Sequence, residues 1–274
     1  MHSYGKVARE VPPAPAHHEH LSPWPLFLAL GIMLLYYGVI FKGPVLGIAV
    51  ILVLAALYGW VYEDYTTWRR APQHAEEELP DDASLMRKWM AKPVAWWGVI
   101  LFLLTEIMLF GGLFVVYFTA HASSPVWPPA SAPELPVFAT GINTAILVSS
   151  GVTMHVGIMF LKRNYRTAFL VLFAATIALG ALFLFNQVAE YIELFGEGFN
   201  LSSGVYGASF FALTGVHGAH VTAGIGGLTG VFTRGLFGQF NAKRHTGIEG
   251  VALYWHFVDF VWIFLYLVIY VRVV

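Results

Sequence analysis

Seven stretches of this chain are long and apolar, and free of lysine and arginine but for Arg166 at the edge of the fifth, at about residues 24–41, 44–62, 94–119, 137–161, 166–190, 205–233 and 248–271. An apolar helix needs about 20 residues to span the hydrocarbon core of a bilayer. The pattern predicts an all-α integral membrane protein with seven transmembrane helices. Composition agrees: 58% of the side chains are hydrophobic and 11% charged, well off the balance of a soluble domain. A net charge of −1 offers no basic face to nucleic acid. The chain has no cysteine, which excludes disulfides, thiolate metal sites and cysteine nucleophiles, and leaves 11 histidines as the plentiful metal or proton ligands.

The connections divide the chain further. Residues 1–23 form a polar, proline-rich tail with no short apolar core ahead of a small-residue cleavage site, so no signal peptide is expected. Within it His17, His18 and His20 could scavenge a metal, but such a tract reads first as an ordinary polar segment. The first two spans meet at Lys42–Pro44, where the proline interrupts the helix, so residues 24–62 are expected to form a two-helix hairpin. Residues 63–93 make a cytoplasmic loop whose acidic run, Glu76 to Asp82, reads as a solvated segment, because like charges this close repel and stay hydrated. Residues 94–274 then hold a five-helix bundle, giving a 2 + 5 arrangement. Thirteen of the 15 lysines and arginines fall on one side of this layout, with only Lys42 and Arg272 opposite. That asymmetry puts the N-terminus in the cytoplasm and the C-terminus outside.

In the sixth span Gly215, Ala219 and Ala223, then Gly226 and Gly230, recur at intervals of four and predict a close-packing face. Trp24, Trp60, Trp96, Trp97, Trp127 and Trp255 lie near span ends and read as interfacial anchors.

Ionisable groups at bilayer depth are costly, and each is a functional hypothesis by default. They are Glu106, His155, His217, His220, His256 and Asp259, with Glu190 near the outer end of the fifth span. At a rise of about 1.5 Å per residue, Glu106 lies roughly 18 Å and Asp259 about 16 Å from the cytoplasmic end, and His217 and His220 reach the middle third. These groups could share one buried layer. His217 with His220, and His256 with Asp259, are spaced three apart, so each pair is expected to project to one side of its helix. Four such ligands could hold a metal, but no H-E-x-x-H motif brackets them, and a satisfied polar network is the favoured reading. Glu106 could act as neutral structural glue or could handle protons.

At the seventh span, "GIEGVALYWHFVDFVWIFLYLVIY", Gly247 to Tyr270, resembles the signature helix of subunit III of the haem-copper cytochrome c oxidases. The sixth span agrees: "YGASFFALTGVHGAHVTAG", Tyr206 to Gly224, is similar to the family's glycine-rich segment with two histidines, and Arg234 falls where the family has an arginine. His245 and Glu249 match the loop before the seventh span. Trp97, Gly98, Thr105 and Glu106 fit the family's W-G…S/T-E pattern, which makes Glu106 its buried carboxylate. "HLSPWPL" (His20 to Leu26), "NTAILVSSG" (Asn143 to Gly151) and "NQVAEY" (Asn186 to Tyr191) also match. Two departures stand out. After Ser150 and Gly151 the mitochondrial form continues to Trp-Ala-His-His, whereas this chain has His155, Val156, Gly157, Ile158 and Met159; and the second span keeps Trp60 and Glu63 but lacks the family's adjacent arginine.

The resemblance implies a subunit of an aerobic terminal oxidase with no catalytic centre, haem, copper or other metal of its own, those cofactors lying on partner subunits. It implies a catalytic haem-copper subunit I and a subunit II as partners, and phospholipids held in a cleft between the hairpin and the bundle. Trp60, Glu63 and Arg234 are the expected lipid-binding residues. The role implied is support of the catalytic subunit's stability and proton uptake while oxygen is reduced to water and protons are pumped. The location implied is a bacterial or archaeal plasma membrane or the mitochondrial inner membrane. The equivalent subunit of a quinol oxidase, or an accessory protein of nitric oxide reductase, would share these features. From another class, an independent metal- or haem-binding membrane enzyme would use His155, His217, His220 and His256. A proton-coupled transporter would also bury carboxylates, but seven spans do not divide into equal halves.

Overall fold

The computed structural model describes residues 23–41, 44–70, 94–241 and 245–272. The histidines at 17, 18 and 20, the turn residues Lys42 and Gly43, the acidic run from Glu76 to Asp82 and the Trp60 side chain lie outside the described residues. The described residues form seven helices: α1 Trp24–Phe41, α2 Pro44–Arg70, α3 Val94–Ser123, α4 Val137–Lys162, α5 Arg166–Gly196, α6 Gly204–Leu236 and α7 Thr246–Leu265, the last continuing as a π-helical turn, Tyr266–Val271. The all-helical reading therefore holds for them. Helix starts agree closely with the apolar runs, while several ends lie beyond them, most of all at α2, because backbone hydrogen bonding continues into polar sequence that hydropathy counts as loop.

Among the described residues four helices are long and apolar enough to cross a membrane: α3, over Trp96–Ser123, with α4, α5 and Gly247–Val271 of α7 with its π turn. Of α1 and α2 the described residues include the shorter apolar segments Leu26–Leu35 and Pro44–Gly59. Although α6 has 33 residues, its glycines, hydroxyls and histidines dilute its apolarity. The expectation of seven spans is thus met in four helices by length and composition.

The chain forms two compact units, Met1–His74 and Ala75–Val274. In the first, α1 and α2 pack antiparallel. Gly31 faces Val53, Gly38 faces Leu46 and Gly59 faces the Trp24 ring, so small residues set the approach along the whole seam. A Cβ at Gly38 would lie 2.8 Å from the backbone of Leu46, which cannot move aside. Gly38→Val is therefore expected to cost about 1–3 kcal/mol, read as a lower unfolding temperature in detergent.

In the second unit α4, α5, α6 and α7 pack in a closed circuit, and α3 lies over the seam between α6 and α7. The outer faces are apolar and exposed, with Met108 and Phe185 more than two-thirds uncovered. Pairs of polar side chains cross the inner seams. Asn186 donates to Asn143 at 3.0 Å and the Thr153 and Thr176 hydroxyls meet at 2.8 Å between α4 and α5, while Tyr191 and Thr214 meet at 2.6 Å between α5 and α6. From α7, Trp255 Nε1–H donates to Ser150 at 3.0 Å and Trp262 Nε1–H to Thr144 at 2.9 Å. Each such bond contributes about 0.6 kcal/mol in lipid, so they set register more than they hold the bundle.

Two sequence expectations are corrected here. Trp255 is no interfacial anchor: it is fully buried, with its ring between Gly180 and Gly224. Within this unit the close-packing face of α6 is also not the row at intervals of four. Its buried stripe runs through His217, Val221, Gly224, Leu228, Val231 and Gly235, while Ala219, Ala223, Gly226 and Gly230 are exposed. A Cβ at Gly224 would meet the Trp255 ring at 2.6 Å, whereas one at Gly226 or Gly230 would meet nothing. Small residues permit close approach, but the bulky ring opposite decides where it happens.

Candidate functional site

The ionisable groups along the apolar helices fall into three places rather than one continuous hydrogen-bonded chain, and His155 and His256, expected in a buried layer, are exposed. The first lies between α3 and α6. Glu106 comes to 2.8 Å from Nε2 of His220, and both side chains are largely buried, at 14% and 16% exposure. On the other ring nitrogen, His220 Nδ1 lies 2.7 Å from the carbonyl oxygen of Val216 one turn earlier. A carbonyl can only accept, so Nδ1 carries a proton. Nε2 and the Glu106 carboxyl then have one further proton to share: either the acid donates to a neutral imidazole, or an imidazolium donates to a carboxylate. Both forms are neutral overall, which lets the pair sit within an apolar span. Phe110 packs on the His220 ring at 5.0 Å, and the Tyr254 hydroxyl donates to the His220 carbonyl at 3.0 Å.

The second place is His217, 1% exposed. Its Nε2–H donates to the Val258 carbonyl at 3.2 Å, its ring lies 4.9 Å from Trp262, and its buried Nδ1 has no hydrogen-bond partner among the described residues. His217 and His220 therefore face different neighbours. Three residues advance about 300° around a helix, and the remaining offset is enough, at a seam between helices, to send one ring to α7 and the other to α3.

The third place lies between α4 and α7, where His155, His256 and Asp259 line a groove. The His155 and His256 rings are 6.3 Å apart, and His256 Nδ1 is 3.8 Å from Asp259 Oδ2. Here the expected grouping of His256 with Asp259 is seen, with His155 added from another helix. Gly151 makes room for the carboxyl, since a Cβ there would collide with Asp259 Oδ2.

Near the outer end, Glu190 accepts from Tyr270 at 2.8 Å and from Gln187 at 3.4 Å. At the cytoplasmic end as read from charge, Glu249 accepts from Lys162 at 3.1 Å and pairs with His245 at 3.2 Å. Arg234 donates to Gln239 at 2.9 Å and lies over the Phe240 ring. Glu63 is half-buried on α2, and its carbonyl accepts from the Thr66 hydroxyl at 2.9 Å. Tyr254, Ser150 and Gly151 were not singled out by reasoning from ionisable groups. For Gly151 the signal was its place in "NTAILVSSG", but nothing local says that a carboxyl needs the space. Among the described residues no three of His, Asp and Glu are grouped to hold a metal ion.

Comparison with known proteins gives a consistent result. Residues 14–273 match the family model described as cytochrome c oxidase subunit III. The chain is similar to cytochrome c oxidase subunit 3 of Locusta migratoria, 35% identical over 270 residues that cover 93% of this chain and 95% of that one. It is 34% identical to the Homo sapiens protein of the same name over 269 residues, 93% and 97% of the two chains. The Synechocystis sp. counterpart is 38% identical over 174 residues, 63% of this chain and 73% of its own. The chain belongs to the cytochrome c oxidase subunit III family.

Proposed function

We propose that this family member serves as a non-redox membrane subunit of an aerobic terminal oxidase. It would pack through α3–α7 on the catalytic haem-copper subunit, with a subunit II in the same complex, and contribute to their stability and proton uptake during oxygen reduction and proton pumping. Haem and copper would be carried by those partners. Phospholipid would be bound by this chain, with Trp60, Glu63 and Arg234 as headgroup contacts. The charge asymmetry of the loops supports a cytoplasmic N-terminus and an external C-terminus.

The observation that carries the reading is the Glu106–His220 pair, a 2.8 Å contact within the apolar run of α3. Moving the shared proton between Glu106 Oε2 and His220 Nε2 leaves the pair neutral overall, so the proton can change places within the span without leaving a net charge there.

The test is removal of this chain from the purified oxidase. Shorter turnover lifetime, slower proton uptake and loss of bound lipid are expected. A depleted complex unchanged in all three respects would refute the role.

A further inference from the structure

Helix α6 ends in a closed turn. Gly238 lies in the left-handed region, at φ +74°, and two backbone bonds run back across it: Gln239 N–H donates to the Arg234 carbonyl at 3.1 Å and Gly238 N–H to the Gly235 carbonyl at 3.0 Å. The last carbonyls of a helix have no partner within it, and here a side chain from another helix supplies one. Arg166, the first residue of α5, donates from Nε and Nη2 to the Gly235 carbonyl at 3.3 and 3.1 Å, and from Nη2 to the Leu236 carbonyl at 2.7 Å.

The same turn holds Arg234. Its carbonyl accepts from the Gln239 backbone while its Nε–H donates to the Gln239 side-chain oxygen at 2.9 Å, so the two residues are tied in both directions. Gln239 is 4% exposed, which fixes the amide. The Phe240 ring centre lies 5.3 Å from the guanidinium carbon, within range of a cation–π contact. Gln239 and Phe240 both follow Gly238, so the direction in which the Arg234 guanidinium is held depends on the turn staying closed.

We propose that Arg166 is a positioning residue for the contact between Arg234 and a phospholipid phosphate. The inference rests on the reading of Arg234 as a headgroup contact. Arg166 turns its fork onto the backbone of α6 and acts through the turn, setting the Arg234 guanidinium before the lipid arrives. An unrestrained arginine loses rotamer freedom when it binds, and one already held by Gln239 and Phe240 loses less. Both cations also suit the negative end of the α6 dipole.

The test uses the purified oxidase that contains this chain, stripped of lipid and titrated with phosphatidylglycerol, with bound lipid counted by mass spectrometry. Arg234→Ala is expected to weaken retention at least about tenfold, through loss of a charge-assisted contact. Arg166→Gln should weaken it about three- to tenfold, through lost preorganisation. Arg166→Lys keeps the charge but cannot fork onto two carbonyls, and should fall with the glutamine variant. Gly238→Val strains the turn at positive φ and leaves both arginines in place, and it too should lose lipid. Arg163→Gln, which removes an exposed charge outside the turn, should retain lipid as the parent does. Full retention in Arg166→Lys or Gly238→Val would mean that Arg166 acts by charge alone, and would overturn the proposal. Displacement of the lipid by inorganic phosphate at equal concentration would identify a soluble-anion site and overturn it as well. Undiminished retention in Arg234→Ala would instead refute the headgroup reading itself, and the positioning role with it.

Discussion

Alanine at Gly224 is expected to destabilise the α3–α7 unit by about 1–3 kcal/mol, while alanine at Gly226, two residues on, leaves stability unchanged or slightly raised. The first Cβ would sit 2.6 Å from a fully buried indole that is tied to Ser150 and backed by Gly180, so neither side can yield. The second would meet nothing within 4 Å, and alanine favours helix over glycine. Thermal unfolding of the two variants in detergent compares them directly. Equal destabilisation would mean that the exposed row of small residues packs as tightly as the buried stripe, contrary to the structure. Combining Gly224→Ala with Trp255→Phe, which shortens the ring, should recover part of the loss.

Glu106→Leu is expected to cost about 3–5 kcal/mol, the usual penalty for breaking a buried pair and leaving its partner alone. His220 would keep Nδ1–H on the Val216 carbonyl but lose the Glu106 carboxyl from Nε2. The double change Glu106→Leu and His220→Leu should be less harmful than the single one, because two apolar side chains suit the span better than one stranded imidazole. Glu106→Gln separates stability from proton handling. Its amide N–H can donate to Nε2 from the same position, so the unfolding temperature should stay near that of the parent, yet no proton can be exchanged. In the assembled oxidase this variant is expected to slow proton uptake and shorten turnover lifetime. Normal values for both would assign Glu106 a packing role alone.

Much of the architecture was legible because helix formation in lipid is a local requirement. A backbone without water must bond to itself, so apolar runs at 94–119 or 137–161 become helices wherever they finally sit. The family was legible too, since "YWHFVDFVW" and the helix-six histidines stand in uninterrupted runs of sequence. The intramembrane acids and imidazoles could be named as a set for the same reason: a charge in an apolar run is conspicuous without knowledge of its neighbours.

Their partners could not be assigned. In a soluble protein the apolar stripe of a helix points to the core, but lipid is as apolar as leucine, so hydrophobic periodicity hardly distinguishes the lipid face from the packed one. The glycine row of α6 was accordingly placed on the wrong side, Trp255 was read as an anchor although it is core, and His217 was grouped with His220 although they serve different seams. Pairing Glu106 with His220, 114 residues apart, and seating Asp259 against Gly151 depend on how the helices are rotated about their axes. The sequence by itself determined which segments are helices, which family they belong to and which buried groups need partners. Only the tertiary structure decided who those partners are, because that choice is made by the shapes of side chains meeting across seams and not by the hydropathy of any one helix.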